Sequence, residues 1–173
     1  MNTLDAIKAR HSTRGFSDRQ VSDAELEAIL FAGGQAAVGA ADFKSMKLCV
    51  VQDPALLKDI DEASAKRRPG SHPLYGAPTL VVLASKQSIL PYIEYTNAGC
   101  VIQNMMVAAA DLGVDSIYLW MSMYGINEDP ELVKRLGFPE GFTCVGTMAL
   151  GYEAKEFPKV KADEQRIEVA YIR

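Results

Sequence analysis

The stretch at 96–112 constrains the fold more than any other part of the chain. Ala98, Cys100, Val101, Ile102, Met105, Met106, Ala108 and Ala109 cover most of the circumference of one predicted helix, which stops at Gly113. A helix apolar nearly all round has to be enclosed, so the remaining segments are expected to wrap it. Of the 173 residues, 49% are hydrophobic and 23% charged, enough for one packed core. Segments 46–51, 78–84, 116–121 and 143–150 read as strands, the first two of them buried. Helices are expected over 3–9, from Ser22-Asp23-Ala24-Glu25 to Gly33-Gly34, after Asp53-Pro54, and between Asp129-Pro130 and Gly137. The Ser22 and Glu25 pair is a capping box, each side chain meeting a free N–H of the helix start. Proline after aspartate supplies a helical φ at the first position. A basic loop spans 66–76. The tail alternates Ile167, Val169 and Tyr171 with strand period. Such a strand needs a sheet edge, its own or a second subunit's. The reading is α+β: a domain over 1–152 and a C-terminal arm over 153–173.

Several function classes drop out early. A net charge of −4 argues against nonspecific nucleic-acid binding. No apolar run approaches a membrane span of roughly 18 residues. Met1-Asn2-Thr3-Leu4-Asp5 lacks the basic and apolar regions of a signal peptide, and Cys49, Cys100 and Cys144 are dispersed in apolar stretches. Inert core cysteines in a reducing cytoplasm are therefore expected. His11 and His72 are the only histidines and have no local ligand spacing, so no metal site is expected. The serine-nucleophile elbow and the glycine-rich nucleotide loops are absent, and the carboxylates form no acid–base pair.

Two segments carry candidate chemistry. In an extended Arg10-His11-Ser12-Thr13-Arg14, positions 10, 12 and 14 face one way. Two guanidinium groups and a hydroxyl then suit a phosphate, although spacing alone favours a solvated face. Trp120-Met121-Ser122-Met123-Tyr124, at the predicted end of the third strand, fits a core edge or a dimer interface first. Its second reading is the wall of a site for a flat aromatic ligand.

In order along the chain, these pieces resemble the nitroreductase family of flavin enzymes. The resemblance is carried by a short helix followed by Arg10-His11-Ser12-Thr13-Arg14, by Tyr75-Gly76-Ala77-Pro78-Thr79, and by Ile102-Gln103-Asn104-Met105-Met106 with Leu112-Gly113-Val114. Leu136-Gly137-Phe138-Pro139 and Ala149-Leu150-Gly151-Tyr152 complete it. It implies an α/β sandwich with a central mixed sheet flanked by helices. It also implies a homodimer that exchanges its C-terminal arm and holds FMN at the interface. By position, Arg10 and Ser12 would bind the flavin phosphate, His11 would contact the flavin by backbone or ring, and Arg14 would lie near the ribityl chain or pyrimidine edge. Leu119, Trp120 and Met121 would present a backbone N–H to flavin N5, and Arg166 or Lys161 would complete the phosphate clamp. Val38, Gly39 and Asp42 stand where the family places a segment contributed across the dimer. There Asp42 replaces the usual asparagine and Lys44 the usual glutamine. The implied activity is ping-pong hydride transfer from NADH or NADPH, through flavin N5, to a nitroaromatic, quinone or similar small acceptor. A non-catalytic flavin carrier or sensor, or a cofactor-free dimeric relic of the fold, is the alternative. Lys66, Arg67 and Arg68 offer positive charge for a 2′-phosphate.

Overall fold

β2 (Thr79–Lys86) and β4 (Phe142–Gly151) form the middle of a sheet of order β1–β2–β4–β3, with β1 (Met46–Val51) and β3 (Asp115–Leu119) at its edges. The computed structural model describes residues 1–88, 90–155 and 166–173. Successive strand side chains point to opposite faces. Leu80 and Val82 therefore enter one apolar cluster, and Val81 and Leu83 another. The first cluster is closed by α3 (Pro54–Ala65), α5 (Met121–Asn127) and α6 (Pro130–Arg135), through Ile60, Ala63, Met123, Ile126 and Leu132. The second is closed by α2 (Asp23–Gly34) and α4 (Ile93–Leu112), through Ile29, Val101, Ile102, Met105 and Ala109. α1 (Thr3–Ala9) lies against α4. The result is an α+β sandwich with helices on both faces of the sheet. Each fully buried Leu, Ile or Met contributes about 1.5–3 kcal/mol by leaving water.

The pairing steps from Leu83↔Gly146 to Ala84↔Cys144, leaving Val145 as an extra residue. A bulge of this kind reverses the alternation. Cys144 joins the α3–α5 cluster, whereas Val145 and Met148 join the α4 cluster.

The sheet corrects the expectation of mixed strand directions: all its pairings among the described residues are antiparallel. α3 carries the chain away from β1 and the segment 66–78 brings it back to the end it left, so Val51 faces Leu80. α5 and α6 make a similar excursion between β3 and β4. α4 alone crosses over, separating β2 and β3, which run the same way with β4 between them. β1 is half-buried rather than enclosed, because an edge strand has a neighbour on one side only.

Local chemistry explains most element ends. Ser22 accepts from the Glu25 N–H, while the Glu25 carboxylate accepts from the Ser22 N–H at 3.0 Å. These Ser22 bonds, joined by the Tyr152 hydroxyl, hold the Glu25 carboxyl below its usual range. Asp53 and Asp129 cap the helices that begin at Pro54 and Pro130. Gly113 closes α4 in the left-handed region at φ 74°, which glycine adopts without a Cβ penalty.

Three elements differ from the sequence reading. α4 starts at Ile93, earlier than expected, after Tyr92 in a left-handed conformation. It buries a stripe through Ala98, Val101, Ile102, Met105 and Ala109, while Cys100, expected in the core, is exposed. β3 ends at Leu119, and the segment read as its continuation is the helix α5. The period-two tail forms no strand among the described residues, and Ile167 and Ile172 are exposed by 75% and 99%. At its root, Glu153 bridges Phe16, and the Ala154 N–H donates to the Gly15 carbonyl at 3.0 Å. No helix among the described residues is long and apolar enough to cross a membrane.

Candidate functional site

Loop 10–14 runs beside the open edge of β3. Arg10 is the C-cap of α1, its N–H still bonded to the Ala6 carbonyl at 3.0 Å. The Thr13 N–H donates to the Ser116 carbonyl at 3.1 Å, and the Thr13 side chain is buried. Arg10 and Arg14 line two different cavities, and Ser12 lines neither of these two. Arg10 and His11 line a cavity of about 320 Å³ that also touches Met1, Asp115 and Glu153. The His11 ring is engaged there, with Nδ1 3.1 Å from the Ala9 carbonyl. Arg14 lines a separate cavity of about 440 Å³, and its Nη1 donates to the Ser12 carbonyl at 3.5 Å.

Arg14 shares this second cavity with Arg68, Tyr75, Leu119, Trp120 and Met121. Its size falls within the range of ligand sites, roughly 300–1,000 Å³. Leu119 closes β3, Trp120 caps α5 and Met121 opens it, so one strand-to-helix junction places all three. Trp120 is 46% exposed. Its ring lies 6.1–6.3 Å from those of Tyr95, Tyr118 and Tyr124, and its indole N–H donates to the Tyr124 hydroxyl at 3.1 Å. Burial pushes the Tyr118 hydroxyl above its ordinary range, so it stays protonated as part of the apolar wall. Neither Arg14 nor Arg68 forms an ion pair among the described residues. Arg67, by contrast, pairs with Glu128 and lies 4.2 Å above the Tyr124 ring. Two uncompensated guanidinium groups beside an aromatic wall suit a flat ligand that carries negative charge.

Other sequence candidates lie elsewhere. Val38, Gly39 and Asp42 do not line this cavity in the single chain. The Gly39 N–H donates to Asn97 Oδ1 at 3.0 Å, and a Cβ at Gly39 would lie 2.6 Å from Ile93 Cδ1. The segment is thus pressed onto the start of α4. Asp42 accepts from the Ser45 hydroxyl and has no ion pair with Lys44. Arg166 is exposed; Lys161 lies outside the described residues. Arg68 and Tyr75 are site-lining residues that the sequence did not single out for the ring. Their signals were the basic run 66–68 and the segment before β2.

The chain matches the family model for nitroreductases over residues 7–152. It is 30% identical over 164 residues to an Archaeoglobus fulgidus protein whose assigned name is NADH dehydrogenase/NAD(P)H nitroreductase, covering 94% of this chain and 91% of that one. A nitroreductase with bound FMN from Desulfitobacterium hafniense superposes with a TM-score of 0.86 at 25% identity, over 99% of this chain and 100% of that chain. A second FMN-bound nitroreductase, from Bacteroides fragilis, gives 0.80 at 28% identity, with 99% and 100% covered. The chain belongs to the nitroreductase family and is an oxidoreductase.

The cysteines take no part in the cavity. Burial raises the Cys144 thiol to about 12, and Cys49 is also pushed up by burial. Because the thiolate is the reactive form, a thiol reagent at pH 8 is expected to label Cys100 first and Cys144 only on unfolding. Mass spectrometry of partially labelled protein checks the order, and early labelling of Cys144 contradicts it.

Proposed function

We propose that this protein is an FMN-dependent oxidoreductase that carries hydride from NADH or NADPH to a nitroaromatic, quinone or similar small acceptor in a ping-pong cycle. The observation that supports this most is the pair of unpaired guanidinium groups, Arg14 and Arg68, beside the Trp120–Tyr118 wall at the end of β3. The residues present fit the cofactor: a broad apolar surface for the ring and cationic donors for its polar edge and phosphate. When bound, FMN would supply the hydride chemistry between the nicotinamide and the acceptor.

The chain's own residues then bind and orient. Leu119, Trp120 and Met121 present backbone at the ring edge. Arg14 would hold the pyrimidine side of the ring, where its fixed positive charge would stabilise added negative charge. Arg10 and Ser12 hold the phosphate with Arg166 or Lys161, and His11 contributes through its backbone. Val38, Gly39 and Asp42 reach the flavin of the partner subunit in a homodimer. Their distance from the single-chain cavity and the exposed apolar side chains of the arm, Ile167, Tyr171 and Ile172, favour that assembly. Free cysteines and a soluble family fit a cytoplasmic location.

Purified protein mixed with FMN is expected to turn yellow and oxidise NAD(P)H through many turnovers with menadione. Flavin uptake without turnover would point to a carrier, and no uptake in excess FMN would refute the proposal. Arg10→Ala is expected to weaken FMN binding by about 1.5–3 kcal/mol, the scale of a charged hydrogen bond. Isothermal titration tests this, and unchanged affinity removes Arg10 from the clamp.

A further inference from the structure

In the 320 Å³ cavity the chain gathers one imidazole nitrogen and two carboxylate oxygens. His11 Nε2 lies 3.6 Å from Asp115 Oδ1 and 3.9 Å from Glu153 Oε2. The three ligand atoms lie within 4.8 Å of one another. Both His–carboxylate distances exceed a hydrogen bond. They approach the separation of about 3.4 Å between neighbouring ligands around a tetrahedral ion with bonds of about 2.1 Å.

The surroundings fix which atoms remain available. The Ala9 carbonyl can only accept, so at 3.1 Å it holds a proton on His11 Nδ1 and leaves Nε2 as the nitrogen that faces the two carboxylates. A histidine that ligates a metal commonly donates its other N–H to a backbone carbonyl in this way. The Glu153 N–H donates to Asp115 Oδ2 at 2.8 Å, which turns Oδ1 toward the imidazole. Glu153 Oε2 is a buried acceptor without a hydrogen-bond partner, and such an atom is costly unless something cationic meets it. The fixed cations at the cavity do not fill that role. Arg10 lines the cavity yet pairs with neither carboxylate, and the Met1 ammonium is bonded to Asp111.

We propose that His11, Asp115 and Glu153 form a binding site for a divalent transition-metal ion of the zinc type, with water from the cavity completing its coordination. The imidazole favours zinc over calcium or magnesium, which prefer all-oxygen shells. Two carboxylates balance the ion's charge. The three ligands come from loop 10–14, the first residue of β3 and the root of the arm. A bound ion therefore cross-links the arginine loop to the sheet edge and to the C-terminal extension. This inference does not depend on the flavin reading.

The test uses the full chain, stripped with a chelator, dialysed against zinc and then against buffer, with metal measured by mass spectrometry. Wild type is expected to retain one zinc per chain, and Cys100→Ser and His72→Gln to retain it as well. Asp115→Asn and Glu153→Gln are expected to lower zinc affinity at least about tenfold. If either of these variants misfolds, nitrogen NMR of the wild-type imidazole replaces it. Zinc should shift the His11 Nε2 resonance and leave Nδ1 protonated. No stoichiometric zinc in wild type, full binding by Asp115→Asn, loss with Cys100→Ser, or a His11 Nε2 that keeps a proton in saturating zinc each overturns the proposal.

Discussion

Gly125→Val is expected to destabilise the fold by about 3 kcal/mol or more, and Gly125→Ala by about 1–3 kcal/mol, as overpacking of a filled core does. Gly125 lies on α5 where that helix meets α3. A Cβ there would sit 2.6 Å from Ser64 N and 2.7 Å from Ser64 Cα. Both are backbone atoms, so no rotamer change relieves the contact. Ser64 is itself buried, and its hydroxyl donates to the Ile60 carbonyl at 2.6 Å. The two helices would have to part, opening the cluster of Ile60, Ala63, Met123 and Ile126 to water. Urea unfolding followed by circular dichroism measures the loss. Gly34→Ala is the control: it also lies in a helix, but nothing is within 4 Å of its added Cβ. That variant is expected to lose no stability. A Gly125→Ala midpoint equal to wild type would show that the α3–α5 contact is looser than its geometry requires. The effect should reach the cavity too, because α5 begins at Met121, directly after Trp120.

What the sequence disclosed, and what it hid, divides along the range of the forces involved. The Ser22–Glu25 box, the Asp53-Pro54 and Asp129-Pro130 starts and the Gly113 stop were all legible, because each is decided within four or five residues of backbone hydrogen bonding. α5 was not. Its seven residues include the buried Ser122, Met123, Gly125 and Ile126, and fewer than two turns do not separate a helical period from a short apolar strand. The exposure of β1 was also hidden, since an apolar run does not reveal whether a strand has one neighbour or two. The same limit applies to the candidate site. Arg14 was singled out from its own loop, but its companion Arg68 is brought beside it only by the return of segment 66–78 to the sheet. His11, Asp115 and Glu153 meet because β3 pairs with β4 through Asp115↔Gly151 while Phe16 bridges Glu153. No local spacing announces that meeting.

Arg14→Ala and Arg68→Ala are each expected to raise the FMN dissociation constant roughly 10- to 150-fold, corresponding to about 1.5–3 kcal/mol for a lost charged hydrogen bond. The double variant should lose more than the sum, because the two groups share one cavity and in each single variant the remaining one can partly take over the charge of the other. Arg14→Lys should recover only part of the loss, since the ammonium keeps the charge but not the planar fork. The two positions separate when riboflavin replaces FMN. A guanidinium that faces the ring weakens both ligands equally when removed, which is the expectation for Arg14. A guanidinium that faces the phosphate weakens FMN alone. Arg14→Ala should also lower the flavin reduction potential, because the positive charge near the pyrimidine edge stabilises the reduced ring more than the oxidised one. For a two-electron couple each 1.4 kcal/mol of that preference corresponds to about 30 mV. Fluorescence titration and a redox-dye equilibration read the two effects independently. Wild-type affinity in both single variants would move the flavin away from the Trp120 wall, even though the family membership would stand.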